Sequence, residues 1–275
     1  MRSSDVHFPK DLTEALAILH SQPGMLIFSG GTDILREQGS RGISLPDDVL
    51  YVRDLPELRR AGLTERFLEI GAAVTVSELL ELGNAALPPL LSEAAAGIGS
   101  SAIRNLATVG GNLACRSRFM DLWPVLACLE TLVELRDQGG ATWMNVNRFV
   151  SKDGRPSFPE GGILTRVRVP IEHWDVYLVR KVGLGDYPAP ETALFSFAAR
   201  AEKGILAELR IAFAGELAIR SQALEASIIG RSLPLSRREC AQFAESYRQL
   251  ASTLSEGLAL QFVALVGGAF DLLAR

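Results

Sequence analysis

Apolar residues recur along the chain at helix and strand spacings, and this pattern predicts alternating elements at the N-terminus. Residues 9–20 carry apolar side chains at helical spacing behind Asp11, a residue suited to the N-cap. Short apolar runs at residues 25–28 and 49–53 predict buried strands, and residues 33–37 predict a helical turn between them. Strands that alternate with helices indicate a small parallel sheet.

The middle of the chain mixes helices with strands. Residues 75–82 predict a helix that opens with a capping box formed by Thr75 and Glu78. A further helix over residues 121–130 tolerates Pro124 in its first turn. The other predicted elements are a helix over residues 90–98, strands over residues 67–73 and 163–169, and a pair of strands over residues 131–136 and 141–144.

Beyond Pro170 the pattern changes to three successive strands followed by helices. The strands are predicted over residues 174–182, 193–201 and 208–215, which favours an antiparallel three-stranded sheet. The helices are predicted over residues 221–229, 236–250 and 258–273, the second with a Ser236–Glu239 capping box.

These elements predict an α+β fold with a domain boundary near Pro170. Residues 1–170 are expected to form a first domain with α/β subdomains at about 1–56 and 57–170. Residues 171–275 are expected to form a smaller domain that contains the three-stranded sheet and the helices.

Two glycine pairs after apolar runs are the candidate ligand-binding features. Gly30 and Gly31 lie in the run MLIFSGGTDIL, and Gly110 and Gly111 lie in the run IRNLATVGGNLA. A strand that ends in two glycines can turn sharply and bring backbone N–H groups close to an anion such as a pyrophosphate. For one pair alone, a plain tight turn is the simpler interpretation. Two pairs in one chain favour a long, phosphate-bearing ligand, although neither pair follows G-x-G-x-x-G or includes a P-loop lysine.

Composition and charge exclude several other classes of protein. With 48% hydrophobic and 22% charged residues the chain is globular, and its net charge of −4 without a basic block argues against nucleic-acid binding. The apolar run at residues 257–270 is too short to span a bilayer, and the N-terminus lacks the apolar core of a signal peptide. Cys115, Cys128 and Cys240 are scattered, and the three histidines are far apart, so we expect neither a disulfide framework nor a metal site.

Several segments together resemble the flavin-binding medium subunit of the molybdenum hydroxylases, the family of xanthine dehydrogenase and carbon monoxide dehydrogenase. The resemblance is carried by SGGTDIL, IRNLATVGGNLA, DLWP at residues 121–124, GGILTRVRVP and YLVRKVG, and more weakly by ELRIAFAGELAIR. It covers nearly the whole chain in order. It implies a PCMH-type FAD-binding domain, in which FAD lies between two α/β subdomains.

The resemblance also implies which residues hold FAD, while it identifies no catalytic residue. Asp121 either binds FAD or caps a helix, and both roles can coexist. By pattern alone, Leu164 is more simply an ordinary strand residue, and a solvated lysine on a strand is the commoner case for Lys181. A covalent flavin is not expected, because related folds that form the link place a histidine where this chain has Thr32. The implied FAD-binding residues are Ser29, Gly30, Gly31, Thr32, Asp33, Ile34, Thr108, Gly110, Gly111, Asn112, Asp121, Leu164 and Lys181.

By the same resemblance, the implied function is electron transfer within a cytoplasmic complex. A large subunit with the molybdenum cofactor would oxidise the substrate, and a small subunit with 2Fe-2S clusters would carry the electrons to FAD. The acceptor after FAD would be NAD or a quinone. This chain would hold neither the molybdenum cofactor nor a cluster, and it would bind no nucleic acid and have no membrane span.

Two segments depart from the family pattern and leave alternatives open. Residues 115–120 read CRSRFM where the family has Ser-Pro and small residues, and residues 184–188 read LGDYP where it often has an Arg-rich run. One alternative is a self-contained flavin oxidoreductase, for which His173 and Tyr187 are the candidate acid–base residues. The other alternative is a paralogue whose flavin site has decayed.

Overall fold

The computed structural model describes residues 5–38, 44–115, 120–183 and 192–274, which form three β-sheets with helices packed around them. The first sheet is entirely parallel, with strand order β1-β3-β2, as its alternating pattern predicts. Asp11 caps its first helix by accepting a hydrogen bond from the Glu14 N–H at 2.8 Å. The elements of this layer are β1 (Asp5–His7), α1 (Leu12–Ser21), β2 (Leu26–Phe28), α2 (Thr32–Gln38) and β3 (Asp48–Tyr51), followed by a 3₁₀ turn at Pro56–Leu58.

The second sheet has five antiparallel strands in the order β4-β5-β8-β6-β7. The predicted pair of strands is confirmed as the β6–β7 hairpin, and the Thr75–Glu78 capping box is confirmed at the start of α3. The strands are β4 (Ala61–Leu63), β5 (Phe67–Gly71), β6 (Leu132–Asp137), β7 (Gly140–Asn145) and β8 (Ile163–Pro170). The helices of this layer are α3 (Val76–Glu81), α4 (Pro89–Ala96), α5 (Ser101–Arg104), α6 (Val109–Ala114), α7 (Trp123–Cys128) and α8 (Val146–Phe149).

The third sheet is antiparallel but has four strands in the order β12-β11-β10-β9, so the expectation of three strands is wrong. The additional strand β12 pairs with the end of β11, and its three residues are too few for a periodic pattern to reveal. The Ser236–Glu239 capping box is confirmed at α10. The elements are β9 (Val176–Val182), β10 (Ala193–Glu202), β11 (Ile205–Ala214), β12 (Ala218–Arg220), α9 (Gln222–Ile228), α10 (Arg237–Ala251) and α11 (Glu256–Leu272).

The second glycine pair lies in a helix, so the prediction of a strand that ends in a sharp turn is wrong. Gly110 and Gly111 belong to the first turn of α6, and Thr108 caps it by accepting the Gly111 N–H at 3.1 Å. A threonine with extended backbone angles favours a helix start, and the cap offsets part of the low helix propensity of glycine.

Helix α7 is the element that joins the second and third sheets. All six of its residues are buried, and the apolar cluster around it continues from the second sheet into Leu194, Ala198 and Ala212 of the third. The opposite face of the third sheet packs on α10 and α11 through residues such as Phe213 and Phe262. The core is therefore continuous across Pro170, although the sheets change there.

Helix α11 contains the most apolar run of the chain and packs as a core helix. Its buried face carries Leu258, Phe262, Val266 and Phe270, whereas Leu260 is exposed. Among the described residues, none of the helices combines the length and apolar character needed to cross a membrane.

Candidate functional site

The first glycine pair lies in the loop between β2 and α2 and cannot accept side chains. A Cβ on Gly30 would lie 1.9 Å from the carbonyl oxygen of Leu106. Gly31 has a φ of +68°, and a Cβ there would lie 2.2 Å from the Phe28 ring. Both glycines are thus required by the packing of the protein itself.

The same loop offers hydrogen-bond donors that the described chain does not use. The backbone N–H groups of Gly30, Gly31 and Thr32 make no hydrogen bond to any described residue. The Ser29 Oγ is buried and has no partner among those residues either. A buried hydroxyl such as that of Ser29 nearly always has a partner in folded proteins, and the three consecutive N–H donors that follow, in half-buried residues, form a typical binding site for an anion. We therefore define residues 29–32 as the donor loop.

The second glycine pair differs, because its amides are already satisfied. The Val109 N–H donates to the Val74 carbonyl at 2.9 Å, and the Gly110 N–H donates to the Ala72 carbonyl at 2.8 Å. Thr108 accepts both from Gly111, through its Oγ1, and from Asn112, through its carbonyl at 2.9 Å. The N–H groups of Gly110 and Gly111 are therefore already bonded within the described chain, unlike those of the donor loop.

The two glycines of α6 also differ from each other in their surroundings. A Cβ on Gly110 would lie 2.6 Å from the Cβ of Ala72 and 2.8 Å from its carbonyl oxygen, so this glycine is needed for packing. Gly111 is exposed, and a Cβ there would lie close only to the Thr108 Oγ1, at 2.7 Å. A side chain at Gly111 would therefore reach solvent once the Thr108 hydroxyl moved aside.

The structure brings the donor loop and the segment before α6 into direct contact. The Leu106 carbonyl occupies the space beside Gly30, and the Arg53 guanidinium donates to the Asn105 carbonyl at 3.0 Å. Arg53 follows β3 of the first sheet, whereas Asn105 follows α5 of the second layer. The two glycine pairs thus lie on either side of the junction between the first two layers.

Asp121 and Lys181 form an ion pair behind α6. The Lys181 Nζ donates to Asp121 Oδ2 at 3.1 Å and to the Gly97 carbonyl at 3.2 Å. Burial raises the pKa of the Asp121 carboxyl, although the Lys181 ammonium acts in the opposite direction. The helix-cap interpretation of Asp121 is wrong, because Leu122 is the N-cap of α7 and makes no side-chain cap. Lys181 is an exposed residue, as the solvated-lysine interpretation expects, and its ammonium also donates to these two acceptors.

Leu164 lies in β8 and is buried in the apolar cluster of the second sheet. Its neighbour Ile163 belongs to the core of the first layer, so the start of β8 connects the two cores. The Leu164 side chain packs in the core, as the interpretation of an ordinary strand residue expects.

The remaining predicted site residues lie at the starts of two helices. Asp33 and Ile34 are in the first turn of α2, where Asp33 Oδ1 accepts from the Arg36 Nη2 at 2.9 Å. Asn112 lies in α6, and its Oδ1 accepts from the Leu122 N–H at 3.0 Å. Asn112 therefore ties α6 to the turn that contains Asp121.

The structure gives no support to the proposed acid–base residues. The His173 side chain is 85% exposed and lies 3.5 Å from Asp175. Tyr187, together with residues 116–119 and 184–188, lies outside the described residues. In the described part of the chain, His, Cys, Asp and Glu side chains form no group that could hold a metal ion, and the cysteines form no disulfide.

Sequence comparisons identify what this arrangement is similar to. The family described as "FAD binding domain in molybdopterin dehydrogenase" matches residues 2–172. The xanthine dehydrogenase FAD-binding subunit of Escherichia coli O157:H7 is 27% identical over 88% of this chain and 84% of that protein. The nicotinate dehydrogenase FAD-subunit of Eubacterium barkeri is 31% identical over 56% of this chain, which spans 53% of that protein.

Solved structures of low sequence identity share the fold. A carbon monoxide dehydrogenase from Hydrogenophaga pseudoflava matches with a TM-score of 0.85 at 22% identity, over 98% of this chain and 95% of that one. The quinoline 2-oxidoreductase of Pseudomonas putida 86 matches with a TM-score of 0.79 at 20% identity, over 99% of this chain and 95% of that one.

The residues of the site are compatible with FAD, whose pyrophosphate is a doubly charged anion and whose ribose hydroxyls are hydrogen-bond donors. Unpaired N–H groups suit the former, and a buried carboxylate such as Asp121 suits the latter. Of the four glycines, the exposed Gly111 is the one whose missing side chain leaves surface for the close approach of a ligand. By its family match and its relatives, the chain belongs to the family of FAD-binding domains of the molybdopterin dehydrogenases and is an FAD-dependent oxidoreductase subunit.

Proposed function

We propose that this chain is the flavin subunit of a molybdenum hydroxylase-type dehydrogenase and binds FAD non-covalently beside the donor loop. The observation that carries the proposal is the set of N–H groups at Gly30, Gly31 and Thr32 that have no partner among the described residues, next to the buried Ser29 hydroxyl. These donors would bind the pyrophosphate. Backbone donors do this without a mobile side chain, so little conformational entropy is lost when the anion binds.

The other predicted residues would act around this centre. Gly111 would allow close approach from the side of α6, and Thr108 would keep that helix in place through its cap. Asp121 would accept from hydroxyl or amino groups of the cofactor, and Lys181 would offset negative charge. Asp33, Ile34, Asn112 and Leu164 complete the proposed set. FAD, when bound, supplies the redox chemistry, because a flavin can exchange electrons one at a time or in pairs. The chain supplies binding, orientation and electrostatics.

The domain organisation is part of the proposal. Residues 1–170 would form the FAD-binding domain, with subdomains at about 1–56 and 57–170, and residues 171–275 would form the C-terminal domain. The change from the second to the third sheet near Pro170 supports this division. The continuous core around α7 implies that the two domains would move as one body.

Electrons would come from a partner chain. The described residues hold no group of metal-binding side chains, and iron–sulfur clusters require thiolates that three scattered cysteines do not supply. A small 2Fe-2S subunit and a large subunit with the molybdenum cofactor are therefore the proposed partners, in the cytoplasm. NAD is the proposed acceptor.

Purification of the chain alone and with its co-expressed neighbours tests this proposal. Alone, it should bind FAD and at most reduce a dye with NADH, without turnover of an aldehyde or N-heterocycle. With partners, such a substrate should bleach the flavin absorbance. Substrate oxidation by the isolated chain at about 1 s⁻¹ or faster would instead identify a self-contained oxidoreductase. Absence of flavin from the purified chain, even after FAD is added, would identify a decayed site.

A further inference from the structure

The C-terminal end of α4 is held by two cations from different parts of the chain. The Arg104 Nη1 donates to the carbonyls of Ala96, Ile98 and Gly99, at 3.2, 3.0 and 2.8 Å. The Lys181 Nζ donates to the carbonyl of Gly97 at 3.2 Å. The last carbonyls of a helix lack intrahelical partners and carry the negative end of its dipole, so both contacts are favourable.

Arg104 lies at the start of the segment that closes onto the donor loop. Two residues after it, the Leu106 carbonyl fills the space beside Gly30. The next carbonyl, of Ala107, accepts from the Val76 N–H at 2.9 Å, and Thr108 then caps α6. The contact of Arg104 with α4 therefore fixes where this segment leaves α5.

The same helix end connects to the ion pair behind α6. Lys181, which binds the Gly97 carbonyl, also binds Asp121. Through four consecutive carbonyls, Arg104 is thus linked to Lys181, which belongs to β9 of the third sheet. The end of α4 is thus in contact both with the helix that leads to the segment beside the donor loop and with the Asp121–Lys181 pair.

We propose that Arg104 is a positioning residue for FAD, which sets the spacing between the donor loop and α6 through its hydrogen bonds to the end of α4. This inference rests on the proposed function. Arg104 is half-buried, and its guanidinium donates to backbone carbonyls. Its proposed role therefore differs from that of a residue that contacts the cofactor.

Variants at position 104 can separate the effect of the hydrogen-bond donors from the effect of side-chain size. Lysine has three N–H donors on one nitrogen and can serve several carbonyls, although its planar fork is missing. Methionine has similar length and no donor. Arg104→Lys should therefore preserve much of the effect, and Arg104→Met should remove it. Arg238→Met is the matched control, because Arg238 is exposed on α10.

The experiment titrates each purified full-length variant with FAD and measures the Kd by quenching of flavin fluorescence. Residues that orient metal ligands without touching the metal typically change metal affinity by about 10- to 100-fold when mutated, and we expect a Kd increase of similar size for FAD in Arg104→Met. Arg104→Lys should recover most of the affinity, and Arg238→Met should bind as the wild type does. Hydrogen exchange of the flavin-free protein should show faster exchange at residues 105–112 in Arg104→Met.

Two results would overturn the inference while the proposed function stands. One is an Arg104→Met variant that binds FAD with the wild-type Kd. The other is an Arg104→Lys variant that binds as poorly as Arg104→Met, because the donors would then be irrelevant. If Arg104→Met does not fold, Arg104→Gln replaces it, with an intermediate Kd expected and a wild-type Kd counting against the inference. A wild-type chain that binds no FAD would overturn both proposals together.

Discussion

The two glycine pairs look alike in sequence, but their N–H groups and their surroundings differ in the structure. In the donor loop both glycines are fixed by protein packing, and the N–H groups of Gly30 and Gly31 remain without partners in the described chain. In α6 the N–H groups of Gly110 and Gly111 have partners, and Gly111 is exposed, with only the Thr108 side chain close to its missing Cβ. The first pair thus offers N–H donors to a ligand, and the second offers an exposed position without a side chain.

This difference shows that a glycine motif combines several requirements. A Cβ at Gly30, Gly31 or Gly110 would collide with Leu106, Phe28 or Ala72, so these glycines are needed whether or not a ligand binds. Glycine within a helix costs about 1 kcal/mol relative to alanine. Of the four glycines in the two pairs, Gly111 is the one that lacks a positive φ and whose Cβ would meet no backbone atom outside its own helix, since its close neighbour is the Thr108 side chain. Gly111 is therefore the position that best separates ligand binding from folding.

The largest expected effect is on FAD binding by Gly111→Asp. The variant should stay folded, because a carboxylate in the first turn of a helix is favourable and the only atom that must move for the new Cβ is the Thr108 Oγ1, at the end of a side chain. Repulsion between this carboxylate and a pyrophosphate should weaken binding by about 4 kcal/mol, so that no FAD survives gel filtration. Bound flavin is measured by absorbance, with circular dichroism as the fold control.

Gly24→Asp is the matched control for this charge, since a Cβ on Gly24 would meet nothing within 4 Å. It should retain FAD. A Gly111→Asp chain with near-stoichiometric FAD would remove α6 from the site.

Gly30→Ala, in contrast, should lower the unfolding free energy of the chain. Its Cβ would lie 1.9 Å from a backbone oxygen of Leu106, so the two layers must separate. Overpacking of this kind costs about 1–3 kcal/mol of unfolding free energy, and here backbone atoms leave little room for relaxation. Urea unfolding measures the change, with Gly24→Ala as the neutral control. A wild-type midpoint for Gly30→Ala would contradict the contact between Gly30 and Leu106.

Lys181→Met should destabilise the chain by about 1–3 kcal/mol near neutral pH, because Asp121 would remain buried without its cation. Burial already raises the pKa of Asp121 in the folded state. Loss of Lys181 should raise this pKa further. An acid with a raised folded-state pKa loses stability as pH rises from its unfolded value toward its folded one.

The deficit of Lys181→Met should therefore shrink below about pH 4, where Asp121 is protonated in both states. The double variant Lys181→Met/Asp121→Asn should recover much of the stability at pH 7. Urea unfolding at pH 3.5 and pH 7 compares the three proteins. A deficit that does not depend on pH would show that packing of the lysine, rather than its charge, is what matters.

The smallest expected effect is that of Ser29→Ala. The buried Ser29 Oγ has no partner among the described residues, so its removal should leave the unfolding free energy unchanged or slightly higher. If FAD supplies the missing partner, its affinity should fall by about 0.5–1.5 kcal/mol. Fluorescence titration measures this, and Ser227→Ala, at an exposed position on α9, is the control. An unchanged Kd would place Ser29 outside the site.

The sequence predicted elements that depend on local patterns. Asp11 and Ser236 cap α1 and α10, and the β6–β7 hairpin follows its predicted strands, because caps and period-two strands are visible within a few residues. Strands β1 and β12 have three residues each, which is too short for periodicity.

The residues of the candidate site were predicted from paired motifs and a family resemblance. Their arrangement in space could not be predicted from the sequence. The contact between Gly30 and the Leu106 carbonyl joins backbone atoms far apart in sequence, and it leaves no pattern of residue types. The hydrogen bonds of Arg104 to α4 also end on carbonyls, which every residue has. Which amides remain unpaired is likewise a property of the folded backbone.

The measurement that tests the account most directly is hydrogen exchange of the wild-type chain with and without saturating FAD, resolved to residues 29–34 and 109–113. The account predicts strong FAD-dependent protection at Gly30, Gly31 and Thr32, whose N–H groups have no partner in the described chain. It predicts a much smaller change at residues 109–112, whose amides are already hydrogen-bonded. Equal protection of both segments, or protection of α6 alone, would contradict the assignment of the donor loop.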